Sequence, residues 1–374
     1  MKQVGIITMH RVINYGSALQ AWATQNIINQ LGYSATIIDY IYPNNKHLEK
    51  TTLKKIIKNS LRFCIHCIQG FPQKKKRKAF AKFWKNNYHL TKTYFTAKEI
   101  SKTPPNFDIY LAGSDQIWNP KQIKGDDVFL LGFVPQGKKR ISYASSFAQD
   151  KLDEKSAQTV KKCLKYFSYI SVRENNGASI IYNLLNKEVK VCLDPTLLLS
   201  HKDYSFLEKQ SSIRIDKPYM LIYILQYAYN PYPYATEFIK KAYKQTGLHI
   251  VCLDFSVKQH LGIKDITHLR DSVGPAEFIY LFANASLIIT TSFHGTAFAL
   301  NFQKPFYSIL NNESTADDRM KSLIDNCGVN ERGIIKDTDI NTINIDTNID
   351  RQKISNFLNI SRKEALDYLK EALD

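Results

Sequence analysis

Short apolar runs and helical patterns alternate along this chain, pause near residue 200 and start again near residue 219. That alternation is the strongest constraint on the fold, because strands separated by helices lie parallel in a sheet covered on both faces. The first half reads as strand 4–9, helix 17–31 closed by Gly32, and strand 35–40. Beyond a basic stretch come strands 107–112 and 140–146, helix 153–167, strand 169–173, helix 175–186 and a short strand 189–193. Asp194-Pro195-Thr196 ends this half, and a polar linker is expected near 200–217. The second half reads as strand 219–225, helix 234–246, strand 248–254, helix 275–284, strand 286–290, helix 295–303 and strand 306–309. Helix 316–327 and a terminal helix near 361–373 complete it. The pattern predicts an α/β fold of two Rossmann-like domains, residues 1–200 and 218–374. A central cleft between such domains is a usual place for a substrate. A length of 374 residues suits two cores of ordinary size.

Charge is concentrated in one segment. Residues 46–102 carry fourteen Lys and two Arg against Glu49 and Glu99, a net +14 of the chain's +17. Leu53, Ile56, Ile57, Leu61, Phe63, Phe71, Phe80, Phe83 and Trp84 are interleaved with the cations. That mixture describes a basic amphipathic helical insertion, a common form of membrane-surface anchor. An anionic membrane is therefore the favoured partner, ahead of an inert solvated face. Nucleic acid ranks last, since no nucleic-acid module surrounds the patch.

The six cysteines are scattered, and only Cys64-Ile65-His66-Cys67 has ligand-like spacing. A structural zinc site needs a second pair, and none follows, so reduced buried thiols are expected. The chain opens directly into an apolar strand and has no run long enough to span a bilayer. The expectation is a cytoplasmic protein, peripheral on the inner face of the plasma membrane if the basic segment docks there.

Polar clusters fall at successive strand ends, where open α/β sheets place ligands. The most informative is Thr290-Thr291-Ser292-Phe293-His294-Gly295-Thr296, between a buried strand and a helix start. It brings an imidazole and several hydroxyls to a helix N-terminus, whose unpaired N–H groups favour an anion. Asn14-Tyr15-Gly16-Ser17 is a glycine turn opening a helix, without the spacing of a dinucleotide fingerprint or a P-loop. Gly113-Ser114-Asp115-Gln116-Ile117-Trp118-Asn119-Pro120 offers a carboxylate and an amide for hydroxyls and an indole to cover a sugar face. Ser142–Phe147, which includes Ser145, and Val172-Arg173-Glu174-Asn175 are the remaining clusters. Each alone is also what an ordinary turn or helix cap contains.

Taken together, Asn14–Gln20, Gly113–Pro120, Ser142–Phe147, Ser171–Glu174, Cys192–Thr196, Gly274–Phe278 and Ser292–Thr296 resemble the polysaccharide pyruvyltransferase family in order and over nearly the whole chain. The resemblance implies a GT-B-like fold and transfer of a pyruvyl group from phosphoenolpyruvate to a sugar. The product is a cyclic ketal on a capsule, exopolysaccharide or cell-wall glycan. No cofactor or metal is implied, and the acceptor is expected to be lipid-linked if the protein docks on a membrane.

The resemblance also assigns roles. His294 is the expected general acid, because imidazole is the side chain best suited to proton transfer near neutral pH. Arg173 is expected to clamp phosphate or carboxylate, and Asp115 to orient or deprotonate the sugar hydroxyl. Ser292, Phe293, Gly295, Thr296, Arg319, Gly274 and Glu277 are expected around the donor. Asn14, Tyr15, Gly16, Ser17, Gln116, Trp118 and Ser145 are expected around the acceptor. Where the family pattern leads one to expect Arg-Leu-His, this chain has Ser292-Phe293-His294, so Arg319 is expected to supply the missing cation. A GT-B-type glycosyltransferase using a nucleotide sugar and a non-catalytic glycan-binding or membrane-docked scaffold are the competing readings.

Overall fold

The computed structural model describes residues 1–41, 74–226, 229–253, 261–269, 271–311 and 319–374. Within them every paired strand is parallel. The first sheet has the order β2-β1-β3-β4, with β1 Gln3–Ile7, β2 Ser34–Ile37, β3 Ile109–Ala112 and β4 Lys139–Ser142. Isolated bridges from Ile141 to Tyr169 and from Ser145 to Val172 continue it onto β5 Ser171–Val172 and β6 Lys190–Val191. The second sheet runs β12-β11-β10-β7-β8-β9. Its strands are β7 Tyr219–Tyr223, β8 His249–Cys252, β9 Ile266–His268, β10 Leu287–Thr290, β11 Phe306–Leu310 and β12 Gly333–Ile335. All residues of β3, β7, β8, β10 and β11 are buried. Burial on both faces is why these segments read as continuous apolar runs rather than alternating ones.

The helix Tyr15–Gln30 starts at Asn14, whose side chain accepts from the Ser17 amide. It is buried on nearly every side, because the helices Pro195–Leu198 and Pro275–Asn284 pack against it from outside the first sheet. The expected linker near 200–217 instead contains the helix His201–Lys209. A capping box of Ser200 and Asp203 starts it, and Tyr204 and Leu207 bury its inner face against Pro275–Asn284.

The terminal helix begins at Arg351, earlier than expected, and runs to Leu373. It crosses from one sheet to the other. Near its start Gln303 Nε2 donates to Ser355 Oγ at 2.8 Å, and near its end the Tyr368 hydroxyl donates to the Ser142 carbonyl at 2.8 Å. Between them Arg362 donates to the Leu197 carbonyl at 2.7 Å and to Asn301 Oδ1 at 2.9 Å. Asn301 Nδ2 in turn donates to the Thr196 and Leu199 carbonyls.

The basic segment departs from its expected use. In the helix Lys74–Asn87, Phe80, Phe83 and Trp84 are buried, and the helix packs on Pro275–Asn284. Phe80 also lies 5.3 Å from the Tyr15 ring. Full burial of such a ring is worth about 1.5–3 kcal/mol. Phe80, Phe83 and Trp84 are therefore part of the protein core, whereas Leu53, Ile56, Ile57, Leu61, Phe63 and Phe71 lie outside the described residues. Lys74, Lys75, Arg77, Lys78, Lys82 and Lys85 remain exposed on the other side. The Cys64–Cys67 motif lies outside the described residues. Cys163, Cys192, Cys252 and Cys327 are buried and outside any disulfide. No helix among the described residues is long and apolar enough to cross a membrane.

Candidate active site

Side chains from both halves meet at the carboxyl ends of β1, β3, β5, β6 and β10. At the centre is Asp194, fully buried after β6. Its Oδ2 accepts from Arg173 Nη1 at 2.6 Å and from Ser114 Oγ at 3.0 Å, and lies 3.7 Å from His294 Nε2. Its Oδ1 accepts from the Thr196 amide and hydroxyl. Burial alone would raise the Asp194 carboxyl, but His294, Arg173 and the Thr196 amide outweigh it and hold the group well below the usual carboxylate range. Arg173 also faces Asp115, Nη2 to Oδ1 at 3.8 Å, and Asp115 Oδ2 accepts from Ser17 Oγ at 2.5 Å. Ser17, Asp115, Arg173, Asp194 and His294 thus form one connected polar cluster across the cleft.

Local backbone geometry builds it. Asp115 has φ of 75°, a left-handed conformation that turns the chain sharply after β3 and points the carboxylate at Ser17. His294 is in the first turn of the helix Phe293–Asn301, which Ser292 caps by accepting from the Gly295 amide. Gly295 is required by proximity, since a Cβ there would lie 2.3 Å from Thr290 Oγ1. Gly16 is required for the same reason, because the His294 ring packs directly on it.

Beside this cluster is a cavity of about 490 Å³, whose lining includes Arg173, Asp194, Phe293 and Arg319. Two guanidiniums lie over the Phe293 ring, Arg173 at 4.8 Å and Arg319 at 5.5 Å from its centroid. Arg173 is almost completely buried, yet its Nε and Nη2 have no hydrogen-bond partner among the described residues. His294 Nε2 is likewise buried without one. Unsatisfied donors in a buried guanidinium are costly unless an anion completes them, and a planar Nε–Nη2 edge matches two oxygens of a carboxylate or phosphate.

A family model for polysaccharide pyruvyl transferase matches residues 14–313, a span that contains the cluster from Ser17 to His294. The chain belongs to the polysaccharide pyruvyl transferase family. No curated protein matches it at a significant level. Among solved structures, it is similar to the UDP-GlcNAc 2-epimerase of Methanocaldococcus jannaschii at 13% identity and TM-score 0.56, covering 96% of this chain and 92% of that one. It is also similar to the Neisseria meningitidis UDP-GlcNAc 2-epimerase bound to UDP-GlcNAc, at 10% identity and TM-score 0.51, covering 100% of this chain and 99% of that one. These likenesses establish a GT-B-type α/β fold with parallel sheets.

In this pyruvyl transferase family member the sequence-expected residues separate into two groups. His294, Arg173, Asp115, Ser17 and Gly16 meet in the cluster, and Phe293 and Arg319 line the cavity. The others serve the scaffold. Trp118 is fully buried, donates to the Phe129 carbonyl at 3.1 Å and packs on Phe147, so its indole covers no ligand. Ser145 is fully buried and donates to the Ala112 and Gly113 carbonyls. Tyr15 stacks on Phe278 at 4.6 Å and donates to the Val273 carbonyl. Gln116 accepts from Asn119 Nδ2 at 3.0 Å, and Asn14 is a helix cap. Glu277 accepts from the Gly274 amide in a capping box and from Ser212, so neither Gly274 nor Glu277 reaches the cavity. Thr296 bonds to Ser308 and the Ser292 carbonyl inside the second half. Sequence reasoning missed Asp194 as a site residue. Its signals were an Asp-Pro-Thr end to a strand, which also reads as a helix cap, and its place within Cys192–Thr196, one of the segments that carry the family resemblance.

Proposed function

We propose that this transferase moves a pyruvyl group from phosphoenolpyruvate onto two neighbouring hydroxyls of a sugar, forming a cyclic ketal on a capsule, exopolysaccharide or cell-wall glycan. The observation that supports it most is the joint presence of an imidazole backed by a buried carboxylate and a buried guanidinium edge without a partner. The donor's carboxylate or phosphate is received by Arg173, with Arg319 beside Phe293 as the second cation. His294 protonates the methylene carbon C3, leaving C2 electrophilic. A sugar hydroxyl adds to C2 and gives its proton to Asp115. The C2–O bond to phosphate then breaks, the second hydroxyl closes the ring at C2, and its proton leaves with phosphate. The donor's C3 becomes a methyl group.

The test is incubation of the protein with phosphoenolpyruvate and lipid-linked sugars, with product mass as the readout. A gain of one pyruvyl ketal and release of phosphate are expected, and both disappear in His294→Ala. Phosphoenolpyruvate is also expected to raise the melting midpoint. A rise with UDP-GlcNAc and none with phosphoenolpyruvate overturns this reading in favour of a nucleotide-sugar glycosyltransferase.

For the basic face we propose electrostatic contact with the anionic inner surface of the plasma membrane, without insertion of the buried aromatic side. The protein then works in the cytoplasm, beside lipid-linked acceptors.

A further inference from the structure

The cavity beyond Phe293 has a wall that the cluster does not explain. The helix Arg319–Cys327 contributes Asn326, and the terminal helix contributes Phe357, Ser361 and Glu364. The side chains of Asn326, Ser361 and Glu364 make no hydrogen bond or ion pair with any described residue. A carboxylate, an amide and a hydroxyl around one aromatic ring are what a pyranose requires, since the polar groups bind hydroxyls and the ring covers an apolar sugar face. The volume of about 490 Å³ lies within the range of sites that enclose small ligands, about 300–1,000 Å³. Meanwhile the turn expected to hold the sugar has its indole, Trp118, in the core.

We infer that the cavity wall formed by Asn326, Phe357, Ser361 and Glu364 is the acceptor subsite, receiving a pyranose with its reacting hydroxyls turned toward Arg173 and His294. This rests on the pyruvyl-transfer reading. The wall belongs to segments after residue 313, where the family match ends. Acceptor choice is thus carried by the end of the chain, while the reacting groups lie in the matched region.

The test uses the full chain with Asn326→Ala, Phe357→Leu and Glu364→Gln. Asn326→Ala and Glu364→Gln each raise the acceptor KM about tenfold, the effect of about one lost hydrogen bond, and Phe357→Leu raises it by a similar factor through the lost ring contact. The phosphoenolpyruvate KM and its effect on the melting midpoint stay unchanged. Transfer with an unchanged acceptor KM, or a rise in the phosphoenolpyruvate KM instead, overturns the subsite. If the parent protein transfers nothing from phosphoenolpyruvate, the pyruvyl reading fails, and direct binding decides the subsite. Saturation-transfer NMR with methyl glycosides of glucose, galactose and mannose then shows binding that Glu364→Gln weakens. No binding to the parent, or binding that the variant leaves intact, overturns it.

Discussion

The imidazole of His294 rests on the backbone of Gly16, so near that a Cβ at residue 16 would lie 2.0 Å from His294 Nδ1. The glycine begins the first helix of one half, and the histidine begins a helix of the other. Their contact closes the cleft at the point where Asp115, Arg173 and Asp194 converge.

Gly16→Ala tests that contact. The added methyl forces the ring away from Asp194, and a displacement of about 1 Å at a reacting group costs about a hundredfold in rate. We expect kcat to fall by that order while circular dichroism stays that of the parent. An alanine variant with parental turnover removes His294 from the reacting position.

Asp194→Asn leaves the buried Arg173 guanidinium without its closer charge partner, with only Asp115 at 3.8 Å remaining, a loss of about 3 kcal/mol. The folded-state pKa of Asp194 lies below its unfolded value, so its ionisation contributes stability fully above the unfolded value of about 4. That contribution is lost as pH falls through the interval below it. Urea midpoints should therefore separate parent and variant widely at pH 7, and the gap should narrow below about pH 4. A gap independent of pH contradicts the assignment.

Ser292→Ala and Arg319→Ala separate capping from donor binding. The Ser292 hydroxyl is occupied by the Gly295 amide, so its removal costs about 1 kcal/mol of stability and leaves the phosphoenolpyruvate KM alone. Arg319→Ala should raise that KM about tenfold or more. The reverse pattern shows Ser292 to be the ligand.

Lys75→Gln, Lys78→Gln and Lys82→Gln together test the basic face. Each cation near an anionic surface contributes about 1 kcal/mol, so the triple variant should bind phosphatidylserine vesicles about a hundredfold more weakly. Its melting midpoint should not move, because these side chains are exposed. Vesicle binding that resists both the substitutions and added salt counts against an electrostatic contact.

Strand and helix identity was legible wherever burial was symmetrical, as in β7 and β10, whose residues are all apolar or small and all buried. The helix Tyr234–Thr246 was also legible, because Gly247 closes it in a left-handed conformation. The site was legible at His294 and Arg173, whose chemistry is uncommon at a strand end. It was illegible at Trp118 and Glu277. An aromatic residue in a turn carries no sign of which way its ring points. Glu277 stands third in a helix after Gly274-Pro275, a position that equally describes a capping carboxylate. Asp194 was hidden by similar ambiguity, since it caps a short helix and holds Arg173 at once. The terminal helix was underestimated because the half after Arg351 is mostly polar, and only Ile354 and Leu358 are buried there.

The node at Asn301 and Arg362 has a mechanical consequence. The chain passes between the halves once at residues 195–200 and again along the terminal helix, and these two side chains tie both passages together. Loss of either side chain at this node loosens both passages at once, while the packing of Tyr15–Gln30 and Lys74–Asn87 on Pro275–Asn284 holds the halves together independently of it.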